Sequence, residues 1–157
     1  MSSPAPASVA PSGAEIVAAT GFFAELTPAQ RERVAALGRI ETYRQDGQIY
    51  DIGDAATDFY VLVDGMVRFS IGLGSRRAAA GQVLRRGEVF GWAALVEQAP
   101  KRIASAFCIS PCSVLAINGD QLLLLMEADH SLGYRLMKQL NALITGNLTA
   151  FNCFISR

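Results

Sequence analysis

The sequence predicts a mainly β fold with flanking helices, and three observations carry the prediction. From Arg39 to Ile117, apolar stretches of about five to eight residues alternate with turn signals. Helix-start signals and helical periodicity concentrate near the two ends. Apolar residues make up 51% of the 157 and charged residues 18%, which suits one globular core. At this length roughly two-thirds of the unfolded surface can be buried, so neither disulfide nor metal is required. Lys+Arg and Asp+Glu balance at 14 each, which removes the electrostatic footprint of a nucleic-acid binder.

Residues 1–13, MSSPAPASVAPSG, carry no charged side chain and lack the basic start and apolar run of a secretory signal. They read as a disordered leader. Ala14–Ala19 can form a short helical turn. A clearer helix begins at Thr27-Pro28, where Thr27 caps, Pro28 suits the first position and Gln30 completes a capping box. Leu26, Val34 and Leu37 give it an apolar side, and Gly38 is expected to end it.

The central region is punctuated at Asp46-Gly47, Gly53-Asp54, Asp64-Gly65, Gly72-Leu73-Gly74, Arg86-Gly87 and Ser110-Pro111. Phe59–Val63, Asp64-Gly65 and Met66–Phe69 read as a tight hairpin. Strands so short and so regularly interrupted predict a sandwich or a barrel-like jelly roll. One break reads as helical, Trp92 to Val96.

Asp120–Ala128 holds the run Leu122–Met126, read as a buried helix with Asp120 as its cap rather than a catalytic acid. His130 falls between the closing helices in a structural role. From Ser131 to about Phe154, Leu132, Leu136, Leu140, Leu143, Asn147 and Phe151 recur at three- and four-residue steps. The division expected is leader 1–13, jelly-roll domain 14–130 and C-terminal helix 131–157. The outer half of that long helix is expected to contact a second copy, making a homodimer. The longest apolar run is far short of the ~20 residues that span a bilayer, and a cytoplasmic location is expected. Cys108, Cys112 and Cys153 are odd in number and form no C-x-x-C pair, as small buried hydrophobes of a reducing compartment would. A redox role for Cys108 and Cys112 is the alternative.

Chemistry concentrates in Gly87-Glu88-Val89-Phe90-Gly91, the short helix after it, and Lys101-Arg102-Ile103-Ala104. The glycines allow tight backbone geometry, amides at the start of the helix offer an anion seat, and Arg102, eleven residues beyond Gly91, can close over it. Taken together with Phe22-Phe23, Gly53-Asp54, Phe59-Tyr60, Gly65-Met66-Val67 and Leu115-Ala116-Ile117, this order resembles the cyclic-nucleotide-binding domain of the catabolite activator protein and fumarate–nitrate regulator superfamily. The resemblance spans roughly Phe22 to Thr149.

The resemblance implies an eight-stranded jelly roll, a double-stranded β-helix, followed by a long C-terminal helix. Its phosphate-binding cassette falls on Gly87 to Ala104. The ligand contacts it implies are Gly87, Glu88, Phe90, Gly91, Trp92, Ala93, Arg102, Ile103 and Ala104, with Arg102 pairing with the cyclic phosphate. Two positions depart from the family pattern. Trp92 stands where a Glu usually accepts from the ribose, and Ile103 where a Ser or Thr usually meets the phosphate. Losing both contacts would weaken binding by about 2–4 kcal/mol, roughly 30- to 1000-fold. Trp92 is then a pocket plug, a stacking face for a different flat ligand, or a partner contact. Glu97 is a candidate replacement carboxylate. Arg102 is either a ligand contact or a surface strand residue paired with Glu88 or Glu97, and Arg85 and Arg86 read as a solvated turn.

Four function classes follow. A regulatory sensor would couple a small-molecule ligand, cyclic AMP, cyclic GMP or a related anion, to its C-terminal helices. A degenerate, ligand-free domain of the same fold would serve as a dimerisation or docking module. A transcription factor would need a helix-turn-helix after the long helix, which the sequence to Arg157 does not supply. Catalysis is disfavoured, because the one His lies outside the β region and no nucleophile–base or metal set surrounds it. No cofactor and no metal site are expected.

Overall fold

The computed structural model describes residues 10–73, 76–79, 82–96 and 101–155. Most of the leader, and Glu97, lie outside them. Helix α1 (Gly13–Ala19) is capped by Ser12, whose hydroxyl accepts from the Glu15 amide, and a 3₁₀ turn follows at Gly21–Phe23. Helix α2 (Pro28–Ala36) has the expected capping box between Thr27 and Gln30. Gly38 does not cap it. It opens strand β1 (Gly38–Tyr43), and a Cβ there would meet Leu115 Cδ1 at 2.6 Å, so the residue is small because β1 lies tight against its neighbour.

The remaining strands are β2 (Gln48–Tyr50), β3 (Asp58–Asp64), β4 (Val67–Leu73), β5 (Arg76–Ala79), β6 (Val89–Phe90), β7 (Ser105–Cys108) and β8 (Cys112–Asn118). They form two four-stranded antiparallel sheets, ordered β1-β8-β3-β6 and β2-β7-β4-β5. This is the jelly roll that the punctuation predicted. The hairpin is corrected: β3 pairs with β6 and β8, whereas β4 pairs with β5 and β7. Asp64-Gly65 therefore carries the chain from one sheet to the other. Gly65 takes φ +96, and a Cβ on it would lie 2.5 Å from the Pro111 carbonyl oxygen.

The unbroken apolar runs of β3 and β8 follow from a sheet covered on both sides. Side chains alternate across a strand. Phe59, Val61, Leu115 and Ile117 face a core made with Ile16, Phe23, Val34, Leu122 and Leu136 from the helices. Tyr60, Leu62, Val114 and Ala116 face the second sheet and meet Val67, Ala106 and Cys108. Neither face meets water, so neither needs polar residues.

Helix α3 (Gly119–Ala128) buries Leu122 and Met126, but Leu124 is 69% exposed, so the run is not buried throughout. A helix of this length packs one stripe on the core, and Leu124 falls on the other side. Asn118, not Asp120, caps it by accepting from the Gln121 amide. Asp120 lies exposed in the first turn. Helix α4 (His130–Ile155) begins at an exposed His130 and buries Leu132, Leu136 and Leu140 in the same core as Phe59. The side chains of Asn147, Phe151 and Cys153 lie outside those described.

Candidate ligand site

The site is built where β6 leaves the first sheet. Gly91 adopts φ +77 and turns the chain into a single 3₁₀ turn, Trp92–Leu95, closed by the Ala94 amide donating to the Gly91 carbonyl at 3.2 Å. A Cβ at Gly91 would lie 2.9 Å from the Tyr60 ring and 3.0 Å from the Arg102 guanidinium, so this approach admits no side chain. The break read as a helix from Trp92 to Val96 is this 3₁₀ turn.

Arg102 closes the arrangement from the far side. Its backbone exchanges two hydrogen bonds with the 53–54 turn: the Gly53 amide donates to its carbonyl and its own amide donates to Asp54, each at 2.8 Å. Its guanidinium donates to the Gly91 carbonyl at 3.0 Å and to the Asp58 carbonyl at 2.6 Å. The same plane lies 4.1 Å from the centroid of Tyr50 and 5.6 Å from that of Tyr60. Arg102 is 4% exposed, so the surface-strand alternative is overturned.

Among the described residues, the charge of Arg102 is not matched by an acid. The Asp58 carboxylate is held by Arg39, at 2.7 and 3.3 Å, and offers Arg102 its backbone carbonyl instead. Among the described residues no carboxylate lies in ion-pair range of Arg102, and its buried Nε has no partner. Beneath it, Tyr60 stacks on Phe90 at 4.9 Å and 17°, and Tyr50 stacks on Tyr60 at 6.1 Å. Burial pushes the Tyr50 hydroxyl up to about 12 against the opposing pull of the Arg102 charge, and Tyr60 is raised by the same cause.

Beside this clamp lies a cavity of about 690 Å³, within the usual range for small-molecule sites. All nine contact residues expected from the sequence line it. Phe90, Gly91, Ala93, Arg102 and Ala104 are buried, Trp92 is half-buried, and Gly87, Glu88 and Ile103 are exposed. Trp92 leaves the space open. Glu88 turns toward the loop before it, accepting from the Arg85 amide at 3.3 Å, while Arg85 and Arg86 are exposed. Lys101 is exposed and pairs through its backbone with Ala55.

Sequence reasoning missed several parts of the wall, among them Phe22, Phe69 and Val83, and two bear most on the chemistry. Tyr50 on β2 carries the guanidinium, 52 positions before it in the chain. Gln139, Ala142, Leu143 and Gly146 bring α4 alongside the cavity. Ala142 and Gly146, small residues four apart, were the available signal, since such a pair keeps one side of a helix low.

Cys108 and Cys112 are buried free thiols. Cys112 donates weakly to the Met66 carbonyl, and burial pushes Cys108 up to about 12, which suits the reading of small hydrophobes. Among the described residues no group of three or more His, Cys, Asp or Glu is placed to hold a metal ion, and no helix is long and apolar enough to cross a membrane.

The family model for the cyclic nucleotide-binding domain matches residues 40–129. No curated protein sequence matches the chain. Among solved structures, a candidate cyclic nucleotide-binding protein from Geobacter metallireducens is 25% identical with a TM-score of 0.70, covering 82% of this chain and 92% of that one. The catabolite activator protein of Thermus thermophilus is 24% identical at a TM-score of 0.71, covering 86% of this chain and 61% of that one. A c-di-GMP-responsive global regulator of Xanthomonas campestris is 20% identical at 0.72, covering 83% and 64%. The chain thus spans most of the first protein and under two-thirds of the two longer regulators.

Proposed function

The chain belongs to the cyclic nucleotide-binding domain family, and from that premise we propose that it is a regulatory sensor of a small organic anion, cyclic nucleotide or related. The anion binds at Arg102, and its binding shifts α4. One observation carries this reading. One cavity joins a buried guanidinium that has no carboxylate partner among the described residues to four residues of the long C-terminal helix. An anion entering beside Arg102 gains an attraction that those residues do not supply, and a ligand touching α4 biases where that helix rests.

The open cavity supports the sensor over the ligand-free docking module, since Trp92 does not fill it. The outer side of α4 presents Tyr134 and Met137, 67% and 41% exposed, as the surface for a second copy. Sedimentation across protein concentration reads that association, and a chain that stays monomeric rules it out.

The test of the sensor is a thermal-shift screen with cyclic AMP, cyclic GMP, cyclic di-GMP and aromatic carboxylates, each followed by hydrogen exchange. A binding anion is expected to raise the melting temperature and alter amide protection in α4 over 139–146, and Arg102→Ala is expected to remove both effects. If no anion stabilises the protein at millimolar concentration, the sensor reading falls.

A further inference from the structure

The lining of the cavity limits what can occupy it. Five aromatic side chains face it, Phe22, Tyr50, Phe69, Phe90 and Trp92, while the neutral amide side chains of its described wall are Gln82, exposed, and Gln139, half-buried on α4, with no Ser, Thr, Asn or Asp beside them. Its one carboxylate, Glu88, is exposed and already holds the Arg85 amide. The mouth carries exposed apolar side chains, Ile103 at 46% and Val83 at 39%, beside Gln82 and Glu88. A ribose brought into such a wall buries hydroxyls with few partners, which is unfavourable. A flat ring system instead covers apolar surface that the free protein leaves in water.

The polar end is equally restrictive. Arg102 is the one cation of the described wall, and two of its donors are committed to the Gly91 and Asp58 carbonyls. The donors left over suit the two oxygens of a carboxylate. The side chain next to Arg102 is Ile103, which offers a cyclic phosphate no donor.

Resting on the sensor reading above, we infer that the ligand is a planar aromatic monocarboxylate, its ring among the aromatic walls and its carboxylate on Arg102. Trp92 is the specificity-determining residue, admitting a flat ring and excluding a sugar.

Isothermal titration of the full chain with naphthoate, the neutral naphthalenemethanol and cyclic AMP tests this. Naphthoate is expected to saturate one site at least roughly tenfold tighter than either of the others. Because Arg102 is buried, its variants can lose the fold, so Ile103→Asp at the exposed mouth provides the second arm. Its added carboxylate is expected to weaken naphthoate by about tenfold without changing the melting temperature of the free protein. Equal affinity for the neutral alcohol, or indifference to Ile103→Asp, overturns the inference, because the charge is then not read at this site. Tightest binding by cyclic AMP overturns the inference and leaves the sensor intact. If neither naphthoate nor cyclic AMP binds, and the wider anion screen is also silent, both readings fail.

Discussion

The two faces of β3 sit in different surroundings. Phe59 and Val61 enter a core closed by all four helices, packed against Phe23, Val34, Leu122 and Leu136. On the other side, Tyr60 and the Asp58 carbonyl meet an arginine that has no acidic partner among the described residues, and open space lies beside them. Arg102 Nε, buried and without a hydrogen-bond partner among the described residues, belongs to this second region. The contrast teaches where stability and recognition separate along one strand. The helix side is packed to hold the sheet, and the cavity side holds a buried charge that no described carboxylate compensates, the position at which the proposed ligand acts.

The largest effect expected tests the packed side. Leu115→Ala removes a side chain 1% exposed between β1, β3 and the helices, and should destabilise by about 2–5 kcal/mol in chemical denaturation. A loss well below that range would show that the helix side collapses easily and is not the more rigid of the two.

Arg102→Ala deletes a larger side chain and yet should cost less, about 1–3 kcal/mol. The Gly91 and Asp58 carbonyls lose their donors, but a buried charge with no carboxylate partner among the described residues is removed at the same time. Anion response should vanish in the same variant. A cost greater than that of Leu115→Ala would mean that the clamp is chiefly structural.

The smallest effect separates the regions by pH. Tyr50 is raised from 10.0 to about 12 and Cys108 from 9.0 to about 12 by burial, and both lie between the sheets. The native state keeps protons that the unfolded chain releases, so their contribution is complete below about pH 9 and fades as pH rises toward 12. Melting temperature should therefore fall between about pH 9 and pH 11, less steeply in Tyr50→Phe. An unchanged slope in that variant would remove Tyr50 as a source. On the helix side Asp129 shifts the opposite way, lowered chiefly by the Leu132 amide, so its contribution is present at neutral pH and lost on acidification.

Much of this was legible in the residues. Thr27 and Gln30 stand three apart, and their box forms as read because its partners are local. The turn signals at Asp46-Gly47, Gly53-Asp54, Arg86-Gly87 and Ser110-Pro111 fall between strands, whereas Gly72 and Leu73 lie within β4. The count of eight strands came from the family resemblance, and Gly91 and Arg102 marked the site. The hairpin at Asp64-Gly65 misled, because a turn dipeptide reports that the chain reverses and not which strand its neighbour will pair with. Asp120 looked like a cap because it precedes the apolar run, although Asn118 stands one turn position nearer the strand end.

The sequence by itself determined what depends on neighbours along the chain: strand and helix type, the capping box, the glycine turn and the apolar identity of Trp92 and Ile103. Only the tertiary structure decided what depends on distant segments meeting. It divided β3 and β4 between two sheets, laid Arg102 over Tyr50, reserved the Asp58 carboxylate for Arg39, and made α4 a wall of the cavity. The reason is that backbone propensity and turns act over a few residues, whereas burial and charge compensation are set by whichever surfaces the packed chain brings together.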